Sequence, residues 1–259
     1  MTNIWKKNYE TAKEVEEFVK KAYELGDVTE LELLRAKRER SIAEVKLKVS
    51  RSKYEASLKE LSRLLAKEVR DVEGELSAGV AMKEVNIDTL PVVLSIKKKI
   101  EAIDRQIQLE KALAKPKLAT GFVVEESEEG YYGLRGSLTL ELPLFYRREG
   151  EILQNIAMKK ALKRRLEAEL LKVKSRLESV KIRLETLQKE LEKLEREVIP
   201  RAREELALAI KSYKLKAITL LELSDVRRKY YELLINRAEL LLDIHRTYSE
   251  FIEIGGWRR

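Results

Sequence analysis

Apolar residues recur along residues 166–198 at alternating steps of four and three. This segment lies in a stretch without Gly or Pro that runs from residue 151 to 199. Such spacing, held for more than four heptads, predicts a helix with a coiled-coil seam. A second run with the same spacing, residues 226–251, predicts a returning antiparallel helix after a turn at 214–219. Residues 147–255 are therefore predicted to form one long coiled-coil helical hairpin. The first seam comprises Leu166, Leu170, Val173, Leu177, Val180, Leu184, Leu187, Leu191, Leu194 and Val198.

The N-terminal 68 residues show a similar arrangement. Helical spacing is interrupted at residues 24–29, where Gly26 suits a helix end and Thr29 suits a helix start. A helix–turn–helix over residues 1–68 is therefore predicted. Residues 69–90 lack periodicity and are predicted to be an irregular linker. Pro91 suits the first turn of a helix over residues 91–115, which Pro116 should stop.

Residues 116–146 change character and predict a β-hairpin. Leu138, Leu140, Leu142 and Leu144 alternate with polar residues, which is typical of a strand with one apolar face. Each strand spans about ten residues, enough to cross a bilayer when tilted. Aromatic residues flank the second strand, as in interfacial girdles of membrane barrels: Tyr131, Tyr132, Phe145 and Tyr146. The same pattern also fits a half-buried hairpin of a soluble sheet, which the alternation alone favours.

Composition removes several classes of function. The 259 residues include no Cys, one His, 10 Gly and 4 Pro, with 53 Lys+Arg against 45 Asp+Glu and a net charge of +8. Disulfides, thiolate metal sites and multi-His metal sites are excluded, and no catalytic constellation is present. We therefore expect neither an enzyme nor a cofactor. Basic and acidic residues interleave along the helices, so no nucleic-acid partner is expected despite the positive charge.

The two predicted turns belong to an internal repeat. Residues 23–33 align with residues 213–223 at an offset of 190, and Tyr, Leu, Thr, Leu, Glu and Leu coincide. A shared Tyr and Thr in a turn are harder to obtain by chance than a shared Leu in a helix. The sequence therefore predicts two copies of one unit, a long helix, a turn and a returning helix.

Three stretches of the sequence together carry a resemblance to a known family. The first is the doubled turn motif, which reads Tyr23–Gly26–Glu32–Arg38 and Tyr213–Lys216–Glu222–Arg228. The second is the strand at residues 136–145 followed by Gly150-Glu-Ile, and the third is the segment Glu197-Val-Ile-Pro-Arg-Ala202. In this order and spacing, which are more specific than each motif alone, they resemble the TolC family of outer-membrane efflux channels, in the heavy-metal and multidrug branch.

The resemblance implies a mainly α fold of long antiparallel coiled-coil hairpins, with one β-hairpin contributing to an outer-membrane barrel. It also implies a passive exit duct that works without a cofactor. Its full-length form would be a homotrimer in outer-membrane lipid with a periplasmic extension. A periplasmic adaptor protein and an inner-membrane transporter would be its partners. The alternative interpretation is a cytoplasmic coiled-coil scaffold or interaction protein, for which residues 117–145 would be a small soluble hairpin.

The resemblance also assigns candidate sites. Glu32, Glu222 and Asp225 fall where family members often have acidic residues at the periplasmic entrance, and a ring of carboxylates there favours cations. Solvated helix charge is the simpler interpretation for the two glutamates, and packing at a helix end for the two tyrosines. The residues expected at the adaptor-docking tip are Tyr23, Gly26, Thr29, Tyr213, Lys216 and Thr219. The residues expected to face lipid are Leu138, Leu140 and Leu142.

The sequence departs from the family pattern in two ways. Lys216 occupies the second turn's glycine position, so that turn must form without the conformational freedom of Gly. A first β-hairpin, a signal peptide and a lipid-anchor cysteine are not found in these 259 residues, and two strands per chain would give a trimer only six. We therefore expect an N-terminally truncated channel protein, a fragment of a longer protein, or a half-unit that assembles differently.

Overall fold

A computed structural model describes residues 1–74, 76, 79–80, 82–126, 130, 132–143 and 146–255. The predicted girdle residues Tyr131 and Phe145, and the alternating Leu144, lie outside this described part. The chain divides into two compact units. The first comprises Met1–Met82 and Val180–Phe251, and the second Lys83–Ser179 and Ile252–Arg259.

Helices dominate both units, as predicted. Their order along the chain, with the two strands between them, is α1 Thr2–Glu24, α2 Glu30–Leu65, α3 Pro91–Leu113, β1 Lys117–Glu126, β2 Tyr132–Glu141, α4 Glu149–Lys193, α5 Ile199–Lys214 and α6 Leu220–Gly255. A 3₁₀ turn at Ile87–Thr89 precedes α3, and a π-helical turn at Leu194–Val198 connects α4 to α5. The predicted fold class, helical hairpins with one β-hairpin, is confirmed.

The coiled-coil seam is where the periodicity placed it. Every seam position from Leu166 to Val198 is buried or half-buried. In the first unit, Leu184 and Leu191 pack with Leu241 and Ile244 of α6, and three of these four are fully buried. Burial of each such side chain stabilises the fold by about 1.5–3 kcal/mol, so this seam holds α4 and α6 together there.

The second predicted seam, at residues 226–251 of α6, differs from the prediction by one residue at the start of the helix. Val226 and Tyr230 are only half-buried, whereas Arg227 and Tyr231 are buried. The reason is that α6 packs against more than one neighbour. Leu223 of α6 shares a cluster with Val19 of α1, while Ala209 of α5 belongs to the same cluster. A helix with neighbours on two sides buries a wider face than one a/d seam.

Pro200 does not end the helical path. The π-helical turn Leu194–Val198 lies directly before it, and α5 continues to Lys214. A proline inside a helix cannot donate its hydrogen bond, and its ring crowds the carbonyl four residues earlier. A wider turn at that point relieves the crowding.

The second unit has its own core and carries the β-hairpin. Leu90 and Val93 pack against Val173 of α4. Beside the hairpin, Arg148 Nη1 lies 2.7 Å from Oε2 of Glu110, which is buried. β1 and β2 pair antiparallel from Lys117↔Glu141 to Glu126↔Tyr132.

Candidate functional site

The two interhelical turns have the same backbone geometry. In the first, Asp27 N donates to Ala22 O at 2.8 Å and Gly26 N to Tyr23 O at 2.9 Å. In the second, Ala217 N donates to Ser212 O and Lys216 N to Tyr213 O, both at 2.9 Å. These pairs define a Schellman motif, which ends a helix with one residue in the left-handed conformation. The repeat in sequence is thus a repeat in structure.

Lys216 takes the left-handed position itself, with φ +60°, where Gly26 has φ +77°. For a residue with a side chain this conformation costs about 1–2 kcal/mol. Lys216 at the glycine position therefore leaves the backbone of the turn unchanged but adds strain. The Lys216 side chain also reaches the other turn, because its Nζ lies 3.0 Å from Oδ1 of Asp27. The two turns are tied to each other by this ion pair.

A capping interaction starts each returning helix, and its strength differs between the turns. The Thr29 hydroxyl accepts from Glu32 N at 3.3 Å. At the second turn the bonding is reciprocal, because Glu222 N donates to the Thr219 hydroxyl at 3.3 Å and Thr219 N donates to Glu222 Oε2 at 2.7 Å. This is a capping box, and its Thr-x-x-Glu pattern is visible at both turns in the sequence.

Two of the three predicted gate carboxylates, those of Glu222 and Asp225, already have partners. The Thr219 backbone N–H, and then its hydroxyl, lower the pKa of Glu222. The pKa of Asp225 is lowered first by hydrogen bonding to Lys229 and then to Arg228, both on its own helix. Glu32 is half-exposed. Within the described part of the chain, no three His, Asp or Glu side chains are grouped so that they could hold a metal ion.

The two repeat tyrosines have different environments. Tyr23 is 40% exposed, whereas Tyr213 is 7% exposed and meets Phe18 edge-on, with ring centroids 5.8 Å apart. The Tyr213 hydroxyl is buried and has no hydrogen-bond partner among the described residues. Burial, with a contribution from the charge of Glu32, raises the pKa of Tyr213 to about 12. Tyr213 is a packing residue, and only Tyr23 is open to solvent.

A buried ion pair between the two helical hairpins was not predicted. Arg227 of α6 is 5% exposed, and its Nη2 lies 3.1 Å from Oε2 of Glu39 on α2. Burial lowers the pKa of Arg227, and the Glu39 charge opposes this shift. Nearby, the hydroxyls of Tyr231 and Thr11 lie 2.9 Å apart. Arg227 is adjacent to Arg228, the arginine of the repeat motif. No pattern in the sequence indicates which of these two arginines is buried.

The β-hairpin is amphipathic across both strands. The register pairs Leu118 with Leu140 and Val124 with Leu134 on one face. Apart from Val123, the opposite face carries small and polar residues, with Arg135 Nη2 3.1 Å from Glu125 Oε2. Apolar side chains remain exposed, among them Leu118, Phe122, Val124, Leu134, Leu138 and Leu140 at 57–78%.

The three predicted lipid-facing leucines are all exposed. Leu138 is 71%, Leu140 57% and Leu142 51% exposed, and Leu142 follows the last residue of β2. A soluble hairpin would bury its apolar face under another layer. Across the described residues of β1 and β2, only Gly121 is even half-buried, so no such layer covers this one. No helix in the described ranges has the length and apolarity to cross a bilayer.

Long antiparallel helical hairpins with Schellman turns, joined to an uncovered amphipathic β-hairpin, define the fold class of this chain. Solved structures agree with this class. The chain is similar to CusC, a transmembrane channel, with TM-score 0.82, 12% identity, and coverage of 99% of this chain and 64% of that one. It is also similar to the CmeC outer-membrane channel of Campylobacter jejuni, with TM-score 0.70, 14% identity and coverage of 98% and 58%.

A third similar structure is the outer-membrane protein VceC from Vibrio cholerae, with TM-score 0.72, 15% identity and coverage of 98% and 65%. No family model matches the chain, and no curated protein matches it in sequence. The solved structures thus confirm the predicted likeness to TolC-type channels at the level of the fold. The chain spans less than two thirds of the length of each of these three structures.

Proposed function

We propose that the chain is part of an outer-membrane efflux channel, a passive exit duct for substrates supplied from the periplasmic side. One observation carries the proposal: the β-hairpin exposes a continuous apolar face in a chain that otherwise has the fold of these channels. An apolar strand face left in water is a liability. The same face in lipid is the normal state of a membrane barrel strand.

In this function, the face with Leu138, Leu140 and Leu142 contacts outer-membrane lipid. The opposite face, with Ser137 and Thr139, lines the polar interior. Alternation of lipid-facing and lumen-facing residues is the pattern of membrane barrels. Two strands do not close a barrel, so further strands come from the remainder of a longer protein or from additional copies. We propose a homotrimer for the full-length form.

The two turns would form the periplasmic entrance. Tyr23, Gly26 and Thr29 of the first turn, with Lys216 and Thr219 of the second, present an exposed surface for a periplasmic adaptor, which connects the channel to an inner-membrane transporter. Tyr213 contributes by packing beneath this surface. Glu32, Glu222 and Asp225 would set the cation preference of the entrance. The Lys216–Asp27 ion pair would have to break if the two turns move apart.

Ion conductance tests the proposal. The full-length channel protein that contains this chain, reconstituted in planar bilayers, is expected to give discrete conductance steps. Leu138→Arg should abolish insertion, because Arg on a lipid face costs about 2–4 kcal/mol at the bilayer midplane. The matched control is Thr139→Arg on the opposite face, which should retain insertion with altered conductance. If both variants insert like the parent, or none inserts, the membrane role fails. The coiled-coil scaffold is then the remaining interpretation.

A further inference from the structure

One segment of α4 departs from the interleaved charges of the other helices. Between residues 159 and 176 there are eight basic residues and two acidic ones. Several of the basic side chains are exposed and form no ion pair within the described ranges, among them Lys160, Lys163, Arg164 and Arg165. Unpaired cations at this density attract anions.

A groove in the second unit brings part of this charge opposite another unpaired cation. One ridge of α4 places Arg165 and Lys172 a heptad apart, and Lys99 of α3 lies across the groove. The only carboxylate of the lining is Glu169, whose Oε1 is 3.8 Å from Lys172 Nζ. Lys99 and Arg165 have no acidic partner in the described part of the chain. The groove therefore has a net positive charge.

The remaining lining of the groove is mainly apolar. Val92, Ile96 and Leu162 form that part, together with Ser95, whose hydroxyl donates to Val92 O. The volume is about 280 Å³, just below the range of about 300–1,000 Å³ for small-molecule sites. Apolar surface beside two unpaired cations is complementary to a small organic anion. An inorganic anion would use only the charged half of the groove.

We propose that the groove between α3 and α4 binds an amphipathic anion with a phosphate or carboxylate head. The head lies between Lys99, Arg165 and Lys172, and the apolar body lies over Val92, Ile96 and Leu162. Arg165 supplies the planar pair of N–H donors that suits such heads, and Lys99 supplies a point charge. None of the residues that line the groove belongs to the turns or to the hairpin, and the proposal does not depend on the proposed channel activity.

Calorimetric titration of the full chain in a neutral maltoside detergent tests the proposal, with octyl phosphate as the probe. Partition of the probe into micelles is common to all variants, so the readout is the difference between variants. Arg165→Glu should weaken binding about tenfold or more, since it replaces a charge-assisted donor with a like charge. The matched control, Arg164→Glu, makes the same charge change at an exposed neighbour that does not line the groove. It should weaken binding less than about threefold, through the general field alone.

Three outcomes would overturn the proposal. Equal loss in the Arg164→Glu and Arg165→Glu variants would mean diffuse attraction without a site. Inorganic phosphate that binds as tightly as octyl phosphate would remove the apolar half of the groove from the site. Octyltrimethylammonium that binds as tightly would remove the charged half. Lys99→Glu provides an independent variant on the facing helix, and unchanged far-UV circular dichroism verifies that each variant is folded.

Discussion

The two turns of this chain reach one backbone geometry from different residues. The first uses Gly26 in the left-handed position, leaves Tyr23 exposed and has a one-way Thr29 cap. The second uses Lys216 in that position, buries Tyr213 and closes a reciprocal box between Thr219 and Glu222. The hydrogen bonds that end the two helices nevertheless differ by only about 0.1 Å in length.

The comparison shows how a repeat can diverge without losing its shape. The left-handed strain at Lys216 is offset at the same turn by a second capping bond and by burial of an aromatic side chain. The first turn needs less support, because Gly adopts this conformation without strain. The second turn is therefore the more strained and the more strongly held of the two.

The largest expected difference between the turns concerns the tyrosines. Tyr213→Ala should lower the free energy of unfolding by about 3–5 kcal/mol, because it leaves a large cavity beside Phe18. Tyr23→Ala should lower it by less than about 1 kcal/mol, because the side chain is largely exposed. Chemical unfolding followed by far-UV circular dichroism measures both. Similar losses in the two variants would contradict the assigned burial.

A smaller difference in the free energy of unfolding is expected between substitutions at positions 227 and 37, which align in the repeat. Arg227→Met should destabilise the chain by about 2–4 kcal/mol, because the half-buried Glu39 loses the closer of its two cationic partners and keeps only Arg38. Lys37→Met, at an exposed position, should change stability by about 0.5 kcal/mol or less. Restoration of stability in the double variant Arg227→Met/Glu39→Leu would support the ion pair as the cause. A loss of equal size in the double variant would assign it to packing.

Loss of the helix cap should also destabilise the second turn more than the first, but by a smaller difference in free energy. Thr219→Ala breaks a reciprocal box and should cost about 1–2 kcal/mol, whereas Thr29→Ala should cost about 0.5–1 kcal/mol. Denaturant midpoints of the two variants, measured side by side, give the comparison. Equal midpoints would mean that the Glu222 side chain adds nothing to the cap.

The pH dependence of the second cap follows from the lowered pKa of Glu222. A carboxyl with a folded-state pKa below its unfolded value stabilises the fold above the unfolded pKa of about 4.5. This contribution is lost as the pH falls through the folded-state pKa. Glu222→Gln should therefore be less stable than the parent at pH 7 and should approach it below about pH 4. A gap between the two proteins that persists at low pH would contradict the assigned hydrogen bonds.

The smallest expected effects are those of the left-handed residues. Gly26→Ala should cost about 1 kcal/mol from backbone strain alone, since an added Cβ meets nothing within 4 Å. Lys216→Gly should relieve about 1 kcal/mol of strain while it loses an exposed ion pair worth about 0–1 kcal/mol. Thermal unfolding of both variants determines the signs. Stabilisation by Gly26→Ala would show that the left-handed assignment is wrong.

Most of the fold could be predicted from hydrophobic periodicity, because heptads and apolar–polar alternation are local patterns that repeat many times. The long helices, both turns and the hairpin followed from it. The buried Arg227 did not, because it depends on a second neighbour of α6 that no local pattern encodes. The two tyrosines occupy equivalent places in the repeat. Their burial differs because Tyr213 packs into the apolar cluster that contains Val19 and Leu33, and Tyr23 does not belong to that cluster. The Thr-x-x-Glu capping pattern is visible in the sequence at both turns. It accounts for the hydrogen bonds of the Glu222 carboxylate, which a gate role alone does not.

The account depends most on where the apolar face of the hairpin lies, and site-directed spin labelling measures this directly. The chain has no cysteine, so Leu138→Cys and Thr139→Cys each introduce a single label site. In proteoliposomes, we predict that a label at 138 collides more with oxygen, which concentrates in lipid, than with a water-soluble nickel complex. A label at 139 should show the reverse. Preferential collision with the nickel complex at both positions would place the hairpin in water and contradict the channel.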